Sequence, residues 1–242
     1  MEANQRMSPS SRGTAERALW GAVPPLAIVW QCGLDASAYL ALGQQIEVGE
    51  HACPECGRLL GGWSGYWRWV RGPGTARMWI RRQRCSRCRH SHALLPDFLL
   101  ERRLDEVQVI GQALALGLTS GLGMRPVAER LGVPMTTARD WRRRFRVNAL
   151  VLATALVAVA VRLDPAPVLL SGTDHEHAAL EALGAAWRRA RSRFDARVPE
   201  LWRFWSLISG GQALGTNRSP PLRGGAERIG WCAVPEATRR CA

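Results

Sequence analysis

The spacing of apolar and polar residues changes character along this chain. Residues 1–24 carry no period and are rich in Ser, Arg and Pro, the composition of a disordered leader. A lead-in over residues 25–50 reads as a short strand, AIVWQ, and a short helix, DASAYLALGQQ, capped by Asp35 or Ser37. From residue 51 to 96 the apolar positions alternate. In GYWRWVRG, Trp67 and Trp69 fall on one side and Tyr66, Arg68 and Val70 on the other. GPGT makes a turn and ARMWIRRQR alternates again, so the segment predicts a hairpin.

From 97 to 148 the period becomes helical. A first helix is expected over 100–117, and a second over RPVAERL with Pro126 in its first turn. Gly132-Val133-Pro134 makes a tight turn, and a third helix runs from Met135 to Arg146, capped by Thr136 or Thr137. On that helix Ala138, Trp141 and Phe145 share the face that packs on its neighbours. The apolar run 149–161 continues it, and alone is shorter than the about 20 residues that a membrane span needs. Residues 149–208 predict a helical module. Trp187, Phe194, Leu201, Trp202 and Trp205 recur at helical spacing there, and Pro199 divides the pattern in two. Residues 209–242 predict a flexible tail. The fold class expected is α+β: a small ribbon of β-hairpins over 51–96, a three-helix helix-turn-helix over 97–148 and a helical C-terminal module.

Cysteine spacing changes this picture most. Cys53-Pro-Glu-Cys56 and Cys85-Ser-Arg-Cys88 flank the predicted hairpin. Each CxxC turn puts two thiolates on one side of a metal, and the hairpin brings the pairs face to face. Four cysteines leave no open coordination position, so a zinc ion held there would fold the ribbon and not catalyse. A thioredoxin-like redox pair would need a strand-helix-strand setting, and two disulfides would need an oxidising compartment. Cys32, Cys232 and Cys241 lack partner spacing and read as ordinary thiols.

Charge comes next. The formal net charge is +13, and every Lys or Arg position is Arg. Between Gly57 and His92 there are nine arginines and no acid. Four thiolates on zinc leave a net charge of about minus two, which a few of these arginines offset. The rest predict a polyanion surface, with Arg81, Arg82, Arg84 and Arg87 on phosphate. Among Trp63, Trp67, Trp69 and Trp79 some are expected to fill the small core of the ribbon, so they are not read as base-stacking platforms. On the third helix the DNA-contact candidates are Thr136, Thr137, Arg139, Arg142, Arg143, Arg144 and Arg146. Outward residues would reach base edges in the major groove and the flanking arginines would meet phosphate.

The ribbon ending CSRCRHSHALLP followed by RPVAERLGVPMTTARDWRRRF resembles the N-terminal region of insertion-sequence transposases. It resembles still more an uncharacterised actinobacterial family of unknown function with a transposase-like zinc ribbon and helix-turn-helix. The resemblance implies DNA binding, with Cys53, Cys56, Cys85 and Cys88 as zinc ligands. His92 falls where that family tends to keep a histidine and is not read as a fifth ligand. A complete transposase of this type adds a ribonuclease-H-like core with three spaced carboxylates. Asp164, Asp174, Glu176 and Asp195 lie too close together, on a helical pattern, to supply one. In Asp174-His175-Glu176-His177, Asp174 is read as a helix cap and Glu176 as a favourable first-turn acid, not as metal ligands.

The expectation is a cytoplasmic, nucleoid-associated, non-enzymatic protein that binds double-stranded DNA. It carries structural zinc, engages neither membrane nor small-molecule substrate, and pairs as a homodimer to present two recognition helices. A DNA-targeting component of a transposase or nuclease system, and an RNA-binding ribbon protein, are the alternatives.

Overall fold

The computed structural model describes residues 27–71, 75–172 and 174–215. The leader expected over 1–24 and the centre of the GPGT turn lie outside them. The chain is a mixed α and β protein with, among the described residues, one four-stranded sheet and six α-helices. In chain order these are β1 (Ala27–Trp30), α1 (Ala36–Leu42), β2 (Leu60–Arg71), β3 (Thr75–Cys85) and β4 (Ser91–Pro96). Five helices follow: α2 (Val107–Thr119), α3 (Met124–Leu131), α4 (Met135–Leu163), α5 (His175–Phe194) and α6 (Leu201–Ile208).

The sheet order is β1-β4-β3-β2. The β2–β3 hairpin is the one that alternation predicts, with Trp67 opposite Trp79 and Trp69 opposite Arg77. A bulge between Gly62 and Ser64 leaves Trp63 without a cross-strand partner. β4 carries the apolar HALLP run, too short to declare its period. It adds antiparallel to β3 and brings β1 in parallel on its far edge. The lead-in is therefore part of the ribbon's sheet. Met78, Ile80 and Leu95 are buried between the sheet and Tyr39, Phe98 and Leu99. Asp35 caps α1, its carboxylate accepting from the Ala38 N–H at 2.7 Å and from the Ser37 hydroxyl at 2.7 Å.

A second core joins the helices. Ala138, Trp141 and Phe145 of α4 are each at most 2 % exposed, in the packing role their spacing predicts. Further along, Ala149, Leu152, Ala153 and Leu156 meet the alanine face of α5, where Ala179, Ala182 and Ala186 let two helices approach closely. On α2, a Cβ added at Gly111 would lie 2.0 Å from the Trp202 ring, so the indole of α6 sits directly on that backbone.

Four expectations are corrected. The first helix does not begin at residue 100. Residues 100–106 stay irregular because their backbone groups bond elsewhere: Arg68 donates to the carbonyls of Leu100 and Arg103, and the Arg71 N–H to that of Leu104. Neither Thr136 nor Thr137 caps α4; the cap is Pro134, whose extended backbone follows Gly132 at φ +65°. Residues 209–215 are no loose tail. Ala213 and Leu214 are buried, the Glu101 N–H donates to Gly211 O, and Asn148 donates to the carbonyls of Ala213 and Gly215. Finally, the apolar run 149–161 lies inside a helix of 29 residues, long and apolar enough by length and composition to cross a membrane. The inner face of that helix is core, and its first turns carry the arginines described below.

Candidate metal centre and nucleic-acid interface

The two CxxC turns share one backbone design. In the first, the Gly57 N–H donates to Cys53 O at 2.8 Å and the Cys53 N–H to Arg58 O at 2.8 Å. In the second, the Arg89 N–H donates to Cys85 O at 3.1 Å and the Cys85 N–H to His90 O at 2.9 Å. Both turns close on a left-handed residue, Gly57 at φ +71° and Arg89 at φ +65°. Glycine is at ease in that region; an arginine there is held by its surroundings. The register Leu60↔Cys85 and the bridge Ala52↔Leu59 bring the turns together.

All four sulfurs lie within 4.8 Å of one another, and none is in a disulfide. Across the turns, Cys53 and Cys88 are 3.5 Å apart and Cys56 and Cys85 are 3.4 Å apart. Tetrahedral zinc with Zn–S of about 2.3 Å sets sulfur–sulfur distances of about 3.8 Å, so this donor set fits one metal ion such as zinc. Backbone N–H groups of Cys88 and Arg87 hold the Cys85 thiol down at about 6, although it is buried. Burial pushes the Cys53 thiol up to about 12. A divalent cation reverses the Cys53 penalty, since a coordinated thiol is deprotonated. His92 is buried, its Nε2 3.9 Å from Cys53 Sγ, beside the four thiols.

The arginines of the hairpin have different surroundings. Arg81 donates to Ile46 O at 3.1 Å and Gln44 O at 2.5 Å, and so ties the lead-in to β3. Arg82 donates to the Ser91 hydroxyl at 2.6 Å, and Arg84 to Arg89 O at 3.1 Å. Arg87 is exposed on the second turn. Core filling, expected of some ribbon tryptophans, falls to Trp79, whose ring overlies Gly65 so closely that a Cβ there would meet it at 2.4 Å. Trp63, Trp67 and Trp69 remain 57 %, 41 % and 54 % exposed. Arg77 lies 5.7 Å from the ring centroids of both Trp67 and Trp69, and Arg84 lies 4.5 Å from that of Trp63. The placing of Arg77 is readable by counting outward from the turn.

On α4, Thr136, Arg139, Arg143 and Arg146 are exposed and Thr137, Arg142 and Arg144 half-buried. A concavity of about 560 Å³ is lined by Thr136, Arg139, Asp140, Arg142, Arg143 and Arg146, with Met124 of α3 at its edge. Two carboxylates organise it, and sequence reasoning assigned neither that part. Asp140 accepts from Arg144 at 2.6 Å, Arg143 at 2.9 Å and Arg103 at 3.4 Å. Partial burial opposes its charge, but Arg144 and Arg143 hold the carboxyl below its usual range. Glu176 of α5 accepts from Arg146 at 3.0 Å and Arg142 at 3.5 Å. The i,i+3 and i,i+4 spacing to Arg143 and Arg144 is the signal that was available for Asp140; Glu176 had none, because its partners lie on another helix.

The remaining carboxylates are dispersed. Asp174 caps α5 as expected, accepting from the His177 N–H at 2.9 Å and facing its ring nitrogen Nδ1 at 3.0 Å. Asp164 ends α4 beside Arg189, and Asp195 ends α5. Cys32 donates to buried Asp97 at 3.3 Å; Cys232 and Cys241 lie outside the described residues.

Residues 53–121 match a Domain of unknown function (DUF6431). The DUF6431 match opens on the first metal-site cysteine and ends just beyond α2, so it takes in both CxxC turns, the hairpin and β4. The concave face of α4 lies outside it. No curated protein and no solved structure matches the chain.

Proposed function

We propose that this chain is a DNA-binding protein whose ribbon is folded by zinc and whose α3–turn–α4 unit, a helix-turn-helix, reads duplex DNA. The observation that carries the reading is the α4 face. Trp141 and Phe145 anchor the helix in the core, while Thr136, Arg139 and Arg143 stand out on its first turns around a concavity. That is the placement from which side chains reach base edges in a major groove, with arginine suited to guanine. Asp140 and Glu176 hold the neighbouring guanidiniums in set directions, an ordering that suits base contacts more than loose phosphate grip. Arg142, Arg144 and Arg146 flank the groove-facing residues, and Thr137 lies beside them.

In this reading the protein is a binder and not an enzyme, located on the nucleoid in the cytoplasm. Resemblance to the front end of insertion-sequence transposases makes a transposase-derived regulator the first form of the proposal, and a targeting subunit of such a system the second. A second copy covers the outer stripe of α4, where Val147, Leu150 and Val151 are exposed at three- and four-residue steps and Val161 about three turns further on, on the same rod that carries the reading face.

Selection from a random duplex pool at about 0.15 M salt, where nonspecific charge binding is suppressed, tests the reading. An enriched motif is expected, two-part if the rods pair. Binding with no enriched motif that fades with rising salt would reduce α4 to a phosphate grip. A monomeric mass by light scattering, with DNA bound, would remove the second copy.

A further inference from the structure

We propose that the outer face of the β2–β3 hairpin is a stacking platform for single-stranded DNA, with unpaired bases lying on Trp67 and Trp69. Both rings, 41 % and 54 % exposed, stand on a hairpin that needs neither of them for its core. Each is braced rather than loose. Trp67 packs edge-on against Trp79 at 5.2 Å, and Arg77 bridges Trp67 and Trp69. Braced aromatic area binds with little loss of side-chain freedom.

The spacing suits bases. Trp67 and Trp69 are two residues apart on a strand, about 6.8 Å along it. That is twice the about 3.4 Å step between stacked bases, so the gap admits one flat group. In this structure the Arg77 guanidinium lies beside that gap, 5.7 Å from both ring centroids. A base enters the gap and Arg77 turns to the adjoining phosphate.

Charge chooses the occupant. Nine arginines and no acid lie between Gly57 and His92, and among the described residues no carboxylate pairs with Arg77, Arg81, Arg82 or Arg84. A second copy of the same face would bring like charge against like charge. A polyanion is attracted, and among polyanions a duplex hides the base faces that exposed indoles bind. Single strands offer both phosphate and open rings. The choice of DNA over RNA rests on the duplex reading proposed for α4. The two faces are joined through one segment: Arg68 of β2 holds the carbonyls of Leu100 and Arg103, and the Arg103 guanidinium meets Asp140 of α4 at 3.4 Å.

The test uses the full zinc-loaded chain and a short oligothymidylate, followed by tryptophan fluorescence and anisotropy, with a motif-free duplex and oligouridylate of equal length alongside. Oligothymidylate is expected to quench the emission and to bind more tightly than the duplex at about physiological salt. Trp67→Ala and Trp69→Ala are each expected to weaken it about 5- to 150-fold, the range of one base–ring stack, while Trp69→Phe retains most of the binding. Metal content and thermal melt of these variants control for folding, since the rings removed are outside the core. Equal affinity for duplex and single strand, or alanine variants that bind as before, would overturn the platform. Preference for oligouridylate would overturn its assignment to DNA, and a concentration-dependent mass lost in the Trp variants would reassign the face to self-association. Motif selection on duplex by the Trp variants separates the two proposals: it is expected unchanged, so either can fail alone.

Discussion

On α4, Arg142, Arg143, Arg144 and Arg146 each meet a carboxylate, Asp140 or Glu176, and their directions are set by those contacts. On the hairpin, Arg77 and Arg84 lie on indole rings, and Arg81 and Arg82 donate to carbonyl and hydroxyl oxygens. Ion pairing orders a guanidinium but lowers the local charge, whereas stacking or bonding to neutral oxygens leaves the charge whole. The first arrangement favours direction and hence selectivity. The second favours attraction at a distance and stays strongly dependent on salt. One residue type thus serves two different surfaces of the same chain, and the acids nearby decide which.

The largest blow to both surfaces is expected from Cys85→Ser. Removing one of four ligands should release the metal, whose binding stabilises small zinc domains by on the order of 10 kcal/mol, and unfold the hairpin. Metal analysis and circular dichroism would show it; a folded variant still holding one equivalent of zinc would refute the site. Next, Arg143→Ala should weaken specific duplex binding by about 1–3 kcal/mol and relax one base position, leaving oligothymidylate binding unchanged. If every sequence loses affinity equally, Arg143 touches only phosphate and the contrast between the faces narrows. Asp140→Asn should then move the α4 face toward the hairpin's behaviour. With Arg143 and Arg144 released, nonspecific duplex affinity should rise and its salt dependence steepen, while motif preference falls; an unchanged salt slope would argue that Asp140 is only a structural tie.

The smallest effect is at Asp174 and His177, which flank Glu176 at the start of α5. The His177 N–H and ring hold the Asp174 carboxyl below its usual range, and that carboxylate, with Leu118 O, raises the His177 ring above 6.5. The raised histidine stabilises the fold fully below pH 6.5, and this contribution fades as pH climbs through the folded value. The lowered carboxyl stabilises above its ordinary 3.8, and its contribution is lost as pH falls through the folded value. The pair is therefore complete between those limits. Ring titration by NMR should give a His177 pKa that drops in Asp174→Asn, with DNA affinity unmoved; a shift in affinity would tie this cap to the α4 face through Glu176.

Some of this molecule was readable residue by residue. CxxC spacing around an alternating segment announced both the four-thiol cluster and its hairpin, because zinc geometry and strand period are local rules. The Gly132 turn and the Ala138, Trp141, Phe145 face were legible for the same reason. The helix expected from residue 100 starts at Val107, because carbonyls of residues 100–104 bond to arginines of β2, distant in sequence. The continuation of α4 through the apolar run was legible as well, and α5 and α6 bury one face of the helix along its length.

The sequence by itself determined the four-thiol cluster, the charge and the sites of tight turns, since each depends on a residue's own chemistry and a few neighbours. Tertiary structure decided which rings stay outside, which arginines keep their full charge and which helix ends where. Those outcomes depend on competition for space and hydrogen bonds among residues far apart in the chain, and no local pattern records who wins it.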